Sequence, residues 1–338
     1  MAQIIYERSL RDIVLDKCSM IRKQFPDLGS LKKFITQSYQ NKKGWPTAIL
    51  NVHTQQDYRP DVKGALSIFM NISGESHCTV DNRQVTIPEA FFFVTNQQQH
   101  YTLAIETSRP VETFNIHFAD RLVEQVYESL LLPSDYLLQN SGHINGPQLL
   151  FYNQLHRKDA YLMGLIQAIR QAPHYQVNTL SLGQQFASKT TQEHLWLEEK
   201  LYEILVYLLQ LHRNILKKVE QLPPIKQTTR VELYKRLGFA LDYLHSFAHC
   251  TIQLDDLAQT ACLSKYHFLR LFKQVFGLTP YQYLAKIRLE NAQSLLKTTQ
   301  MTVHEIAYTI GYENATSFCR VFRQRFKVSP QQYRSMIG

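Results

Sequence analysis

Hydrophobic and polar positions change rhythm twice along this chain. Residues 1 to about 42 read as helical and polar, broken at Pro26, which predicts a helical N-terminal arm. From Trp45 to Phe118 the pattern becomes a series of short β-rich runs: TAILNVH, ALSIFMNI, HCTV, RQVTI, AFFFVT, YTLAIE and VETFNIHF. Turn residues separate them, at Arg59-Pro60-Asp61, Ser73-Gly74, Asp81-Asn82, Pro88 and Pro110, and such spacing predicts an antiparallel sandwich or barrel. Beyond Ala119 apolar residues recur at three-and-four spacing in ADRLVEQVYESLL, DAYLMGLIQAIRQA and the long stretch TQEHLWLEEKLYEILVYLLQLHRNILKKVEQL, which predicts helices. A Pro-Pro break follows, and Leu222 to Thr228 reads as a linker. Thr229 with Glu232, and later Thr302 with Glu305, have the spacing of helix-opening capping boxes.

The last third contains a repeat. HFLRLFKQVF (267–276) and SFCRVFRQRF (317–326) share five identities, Phe268/Phe318, Arg270/Arg320, Phe272/Phe322, Gln274/Gln324 and Phe276/Phe326, and Lys273 is answered by Arg323. The match extends back, with Leu257 over Ile306, Ala258 over Ala307 and Ala261 over Ile310, and forward, with Pro280 over Pro330 and Tyr283 over Tyr333. Each copy reads as a short helix, a tight turn and a second helix. Gly311 occupies the turn of the second copy, where a positive φ is cheap only for glycine, and Cys262 occupies that place in the first. Ser264 is placed to cap the helix that follows it.

The second helices have an apolar stripe, Phe268, Leu271, Phe272, Val275 and Phe276, matched by Phe318, Val321, Phe322 and Phe326. Their other faces carry Tyr266, Leu269, Arg270 and Lys273, then Thr316, Cys319, Arg320 and Arg323. Two helices with one cationic face each suit a helix-turn-helix that lays its second helix in the DNA major groove. The segment between the copies, from Pro280 to Lys297, predicts a rod of about 27 Å, and successive major-groove windows on one DNA face recur at about 34 Å. The duplication thus makes one chain a substitute for a dimer.

Charge supports this placement. The 338-residue chain has a formal net charge of +9. From Thr251 onward it carries eleven Lys/Arg against five acids, a net +6, so the excess sits on the repeat and points to a polyanionic partner. Five cysteines, at 18, 78, 250, 262 and 319, are scattered and never form a C-x-x-C pair, which argues for a reducing compartment and against a zinc site. The start of the chain does not read as a signal peptide, and no apolar run is long enough to span a bilayer. The chain therefore reads as cytoplasmic, with no membrane partner and no cofactor.

The segments LDYLHSFAHCTIQLDDLA, LSKYHFLRLFKQVFG and IAYTIGYENATSFCRVFRQRFKVSPQQYR resemble the DNA-binding domain of the AraC/XylS family of bacterial transcription regulators. The resemblance covers about a third of the chain. It implies double-stranded DNA as partner and base contacts from Tyr266, Leu269 and Arg270, then Ala315, Thr316, Cys319 and Arg320. Leu269, Ala315 and Cys319 lack the amide or hydroxyl often found at such places. The front of the chain resembles, more weakly, the cupin-like sensing domain of such regulators, with His100 where the family often has a histidine.

The expected architecture is α+β. A cupin-like β-barrel sensing domain with a helical arm spans 1–120, a helical connecting or dimerisation region spans 121–221, and an all-α domain with two helix-turn-helix motifs joined by a long helix spans 229–338. No H-x-H occurs, and His77, His100 and His117 are too scattered to read as a metal site; each reads as a packed or hydrogen-bonded histidine. The barrel is instead expected to hold a small effector, with Trp45, Phe69, His77, His100 and Tyr101 as candidate contacts. RNA polymerase and a second copy of the chain are further candidate partners. The expected function is a sequence-specific, effector-responsive DNA-binding regulator rather than an enzyme. The alternatives are a cupin-type enzyme carrying the same helices, a methyl-transferring DNA repair protein, which would need a thiolate cluster the isolated cysteines do not supply, and a DNA-bridging structural protein.

Overall fold

The computed structural model describes residues 21–22, 29, 31, 36, 47–131, 149–172, 191–223 and 226–337. The chain divides into two compact units, Met1–Asn214 and Ile215–Gly338.

The first unit is built on eight strands among the described residues: β1 (Ile21–Arg22), β2 (Ala48–Lys63), β3 (Leu66–Ser73), β4 (Ser76–Val80), β5 (Arg83–Ile87), β6 (Phe91–Thr95), β7 (His100–Phe118) and β8 (Leu155–Arg157). They form one nearly closed barrel in the order β1-β2-β7-β3-β6-β8, with β4 pairing β5 and β7. The long strand β7 is its spine. One edge carries β2; the other carries β3 along its second half and β4 along its first.

Two turn signals of the sequence prove to be irregularities inside long strands. Pro60 falls where the β2–β7 register shifts between Arg59 and Val62, and Pro110 falls where it shifts again opposite Thr54 and Gln56. Proline has no N–H for the ladder, so it is tolerated where pairing is already interrupted. Asp81 and Asn82, by contrast, make the expected two-residue hairpin turn with φ of 51° and 61°, the backbone of a primed turn whose twist matches the strands it joins. Ile21–Arg22 pairs in parallel with β2 and is strand, not the helix expected there. The rest of that arm lies largely outside the described residues.

The run FFFVT is buried throughout, as a strand covered on both faces must be. Alternate residues serve alternate faces: Phe93 pairs Phe69 across the ladder, while Phe92 stacks on His156 at 5.1 Å and reaches Tyr207 at 6.5 Å. Tyr207 belongs to α3 (Thr191–Glu220), which follows α1 (Leu122–Leu131) and α2 (Ala160–Gln171). A single apolar cluster joins the barrel to Leu122, Val123 and Val126 of α1, to Leu162, Leu165, Ile166 and Ile169 of α2, and to Leu197–Leu209 of α3.

The second unit holds α4 (Gln227–Ser246), α5 (Leu254–Thr260), α6 (Lys265–Phe276), α7 (Pro280–Thr298), α8 (Val303–Thr309), α9 (Ala315–Phe326) and α10 (Pro330–Ile337). Helix α4 starts two residues before the expected cap. Lys226 is its N-cap, without a side-chain bond, so Thr229 is inside the first turn and Glu232 pairs with Arg236 at 3.0 Å. The box at Thr302 and Glu305 forms as expected. No helix among the described residues is long and apolar enough to cross a membrane.

Candidate nucleic-acid interface

The two copies of the repeat fold alike down to single hydrogen bonds. In the first, Leu263 N–H donates to Ala258 O at 2.9 Å and Cys262 N–H to Gln259 O at 2.9 Å. In the second, Tyr312 N–H donates to Ala307 O at 2.9 Å and Gly311 N–H to Tyr308 O at 3.0 Å. These pairs close a short helix with one left-handed residue, satisfying its last carbonyls. That residue is Cys262 (φ 49°) in one copy and Gly311 (φ 93°) in the other. The cysteine thus adopts a backbone that disfavours a Cβ, because its place in the turn requires it.

The second helices α6 and α9 then bury equivalent faces. Phe268, Leu271, Phe272 and Val275 are buried in α6, and Phe318 and Phe322 in α9. Ring follows ring in both: Phe268–Phe272 at 5.3 Å and Phe318–Phe322 at 5.5 Å, Phe272–Phe276 at 4.6 Å and Phe322–Phe326 at 4.5 Å. Tyr283 meets Phe272 edge-on at 5.8 Å, as Tyr333 meets Phe322 at 5.6 Å. Edge-to-face packing of this kind fixes ring angle as well as depth.

Both helices end in a left-handed residue, Gly277 (φ 74°) and Lys327 (φ 66°). The next helices, α7 and α10, open alike. Thr279 and Ser329 each accept from the N–H three residues on, and Gln282 and Gln332 return the bond to the cap's N–H. At the start of α9, Asn314 accepts from Ser317 N–H at 2.8 Å. Ser264, the equivalent cap of α6, makes no such bond. Lys265 of α6 instead ion-pairs with Asp255 of α5.

With the aromatic faces buried, the charged and hydroxyl-bearing contact candidates fall on the other side, while Ala315 and Cys319 pack against the apolar cluster of α9. Tyr266, Arg270 and Lys273 of α6 are exposed and Leu269 is half-buried; Thr316, Arg320 and Arg323 of α9 are exposed, while Ala315 and Cys319 are half-buried. Two helices therefore present cations at matching positions, Arg270 with Arg320 and Lys273 with Arg323. The 19 residues of α7 make a rod of about 28 Å between the copies. Glu305, in the cap of α8, has its carboxyl held below the usual range by hydrogen bonds from Thr302.

Not every cation of the basic unit faces outward. Arg288 donates from Nε to Ala248 O at 2.7 Å and from Nη2 to Cys250 O at 2.8 Å. Arg334 donates to Leu296 O at 3.4 Å and Met301 O at 2.6 Å. Both satisfy carbonyls at or just past a helix end. In the sequence they enter only the count of basic residues, with no signal of their partners, which lie 33 to 40 positions away.

Of the barrel residues proposed for an effector, the structure brings Phe69 and Tyr101 together and places His77 and His100 elsewhere. Phe69 and Tyr101 pack edge-on at 4.9 Å inside the core. His77 bonds Thr86 Oγ1 at 3.1 Å on the β4–β5 hairpin, His100 is exposed and pairs with Asp61 at 2.7 Å, and Trp45 lies outside the described residues. His117 is buried, 2.8 Å from Ser67 Oγ, and its burial pulls its pKa down to about 4. Burial likewise pushes the Cys78 thiol up to about 12. Among the described residues no group of three His, Cys, Asp or Glu is placed to hold a metal ion. A cleft of this unit lies elsewhere, a half-open space of about 310 Å³ lined by Asn51, Glu112, Met163, Ile166, Gln167, Arg170 and Gln171. In it Arg170 Nη2 and Asn51 Nδ2 both donate to Glu112 Oε1, at 2.5 and 3.0 Å.

Comparison with known proteins agrees with the geometry of the second unit. Residues 257–336 match the family described as a helix-turn-helix domain. Together, the repeat, the matched turns and this match define the second unit as a double helix-turn-helix domain; it is a domain of the AraC type. Curated relatives include an HTH-type transcriptional regulator of Haemophilus influenzae, 37% identical over 31% of this chain and 35% of its own length. Another is the HTH-type transcriptional regulator AlkR of Acinetobacter baylyi, 30% identical over 46% of this chain and 50% of its own. The chain thus spans between about a third and a half of the length of these relatives. Among solved structures, the DNA-binding domain of AdpA in complex with a target DNA is 29% identical, covering 30% of this chain and 91% of that one, with a TM-score of 0.29.

Proposed function

We propose that this protein is a sequence-specific, double-stranded DNA-binding transcription regulator. The observation that carries the reading is the pairing of Arg270 with Arg320, and of Lys273 with Arg323, on the outward faces of two helices held by the same turn and the same aromatic packing. Arginine is the side chain suited to guanine O6 and N7 in the major groove, and lysine to phosphate. The connecting helix has the length to set both helices against adjacent windows on one DNA face. In this reading the protein is a regulator and not an enzyme, and it works in the cytoplasm.

The β-rich unit is proposed to sense a small effector or partner. The cleft at Arg170 and Glu112 supports this reading better than the packed barrel interior does, because it is open and offers both charged and apolar lining. RNA polymerase and a second copy of the chain complete the proposed partners. For the second copy the support is exposed apolar surface on α1 and α3, at Tyr127, Leu130, Leu131 and Tyr202, drawn together by the 3.3 Å bond between Ser129 and Tyr202.

Selection from a random duplex DNA library by the full chain tests the proposal. The expected product is a motif of two half-sites about one helical turn apart. Recovery of sequences with no shared motif, at a salt concentration where binding persists, overturns sequence specificity.

A further inference from the structure

Arg288 sits at a joint. It projects from α7, and its guanidinium donates to Ala248 O at 2.7 Å and Cys250 O at 2.8 Å, in the segment that leads from α4 to the first helix-turn-helix. Its Cζ also lies 5.5 Å from the centre of the Tyr312 ring, in the turn of the second helix-turn-helix. Next to Tyr312, Gly311 approaches the same segment so closely that a Cβ there would stand 2.6 Å from His249 O and 2.9 Å from Arg288 Nη2. One side chain therefore ties together the lead-in to copy one, the rod between the copies and the turn of copy two.

We propose that Arg288 is a positioning residue that sets the rotational phase between the two recognition helices, and with it the spacing of half-sites the protein accepts. The inference rests on the DNA-binding reading above. One base pair of added spacing turns the second half-site by about 34° around the duplex axis and moves it about 3.4 Å along it. To follow, copy two would have to swing against copy one. That swing carries Tyr312 away from the Arg288 guanidinium, which Ala248 O and Cys250 O hold in place. A lysine cannot hold the same joint, since it lacks the flat fork that meets two carbonyls at once.

The test uses the full chain and duplexes built from the motif that the wild type selects, with the selected spacing and with one base pair inserted or removed between half-sites. Wild type is expected to bind the altered spacings at least about tenfold more weakly. Arg288→Ala is expected to keep its preference for both half-site sequences but to bind the three spacings nearly equally, with Arg288→Lys in between. A weaker Arg288→Ala protein that retains the wild-type spacing penalty overturns the proposal, because loss of stability alone lowers affinity without changing which spacing is preferred. Should circular dichroism show Arg288→Ala unfolded, Tyr312→Leu carries the same comparison with the same two outcomes. If wild type selects no bipartite motif at all, the DNA-binding reading fails first and takes this proposal with it.

Discussion

The Gly311 backbone rests against the carbonyl of His249: a Cβ at 311 would stand 2.6 Å from that oxygen, and the residue has φ +93°. The turn of the second helix-turn-helix therefore needs glycine twice, once for its backbone conformation and once for its neighbour. Gly311→Val is expected to lower the stability of the protein in a urea melt by about 1–3 kcal/mol from backbone strain alone. Footprinting on the selected DNA is expected to show the first half-site still protected and the second lost. Full protection of both halves would mean that the turn accepts a side chain.

Arg270→Ala and Arg320→Ala are each expected to weaken specific binding by about 1–3 kcal/mol and to relax preference at one position of the corresponding half-site. Lys273→Ala is expected to weaken all sequences alike and to lower the salt dependence by about one ion. Titrations at several salt concentrations, against matched and mismatched duplexes, separate the two behaviours. Arginine variants that bind as tightly as wild type while folded contradict the interface.

Buried His117 predicts an acid sensitivity of the barrel. Its pKa of about 4 lies below its ordinary 6.5, so as pH falls the unfolded chain takes up the proton first. The associated stability is complete above the unfolded value and drains away as pH drops toward the folded one. From pH 6.5 to about pH 5 the loss attributable to this residue is about 2 kcal/mol. Urea melts across that window should fall more steeply for wild type than for His117→Gln. His212, whose pKa burial also lowers, will leave some slope in the variant; equal slopes would remove His117 from the account.

The second unit should be separable, and its proper start lies before α4. Ile215, Val219 and Leu222 are buried, Lys218 Nζ lies 5.6 Å from the Phe276 ring centre, and Gln274 donates to Gln221 O at 2.5 Å. A fragment of residues 215–338 is therefore expected to be more stable than one of residues 227–338 by about 1–3 kcal/mol, the usual cost of stripping apolar cover from a core. Circular dichroism melts of the two fragments decide it. Equal stability would show that the end of α3 adds nothing to this unit.

What the sequence determined by itself is what short-range pattern can report. The repeat at offsets of 49 and 50 announced two equivalent helix pairs, placed Phe272 and Phe322 inward and Arg270 and Arg320 outward, and put a strained turn at Cys262 and a glycine at 311. Period, chirality and the cost of a positive φ are local properties, so the letters carry them. Asp81-Asn82 was legible for the same reason. Only the tertiary structure decided matters that depend on distant backbone. Pro60 and Pro110 read as strand ends, yet each sits in an interruption of the β2–β7 ladder, because the partner strand continues past them. Thr229 reads as a cap, but the helix starts earlier. The candidate barrel residues scatter between core and surface, since alternation says that a side chain changes face and not what lies across from it. Arg288 and Arg334 look like any other surface cation in the sequence. Their roles are set by carbonyls left open at the ends of helices 33 to 40 residues away, and only the folded chain brings those groups within reach.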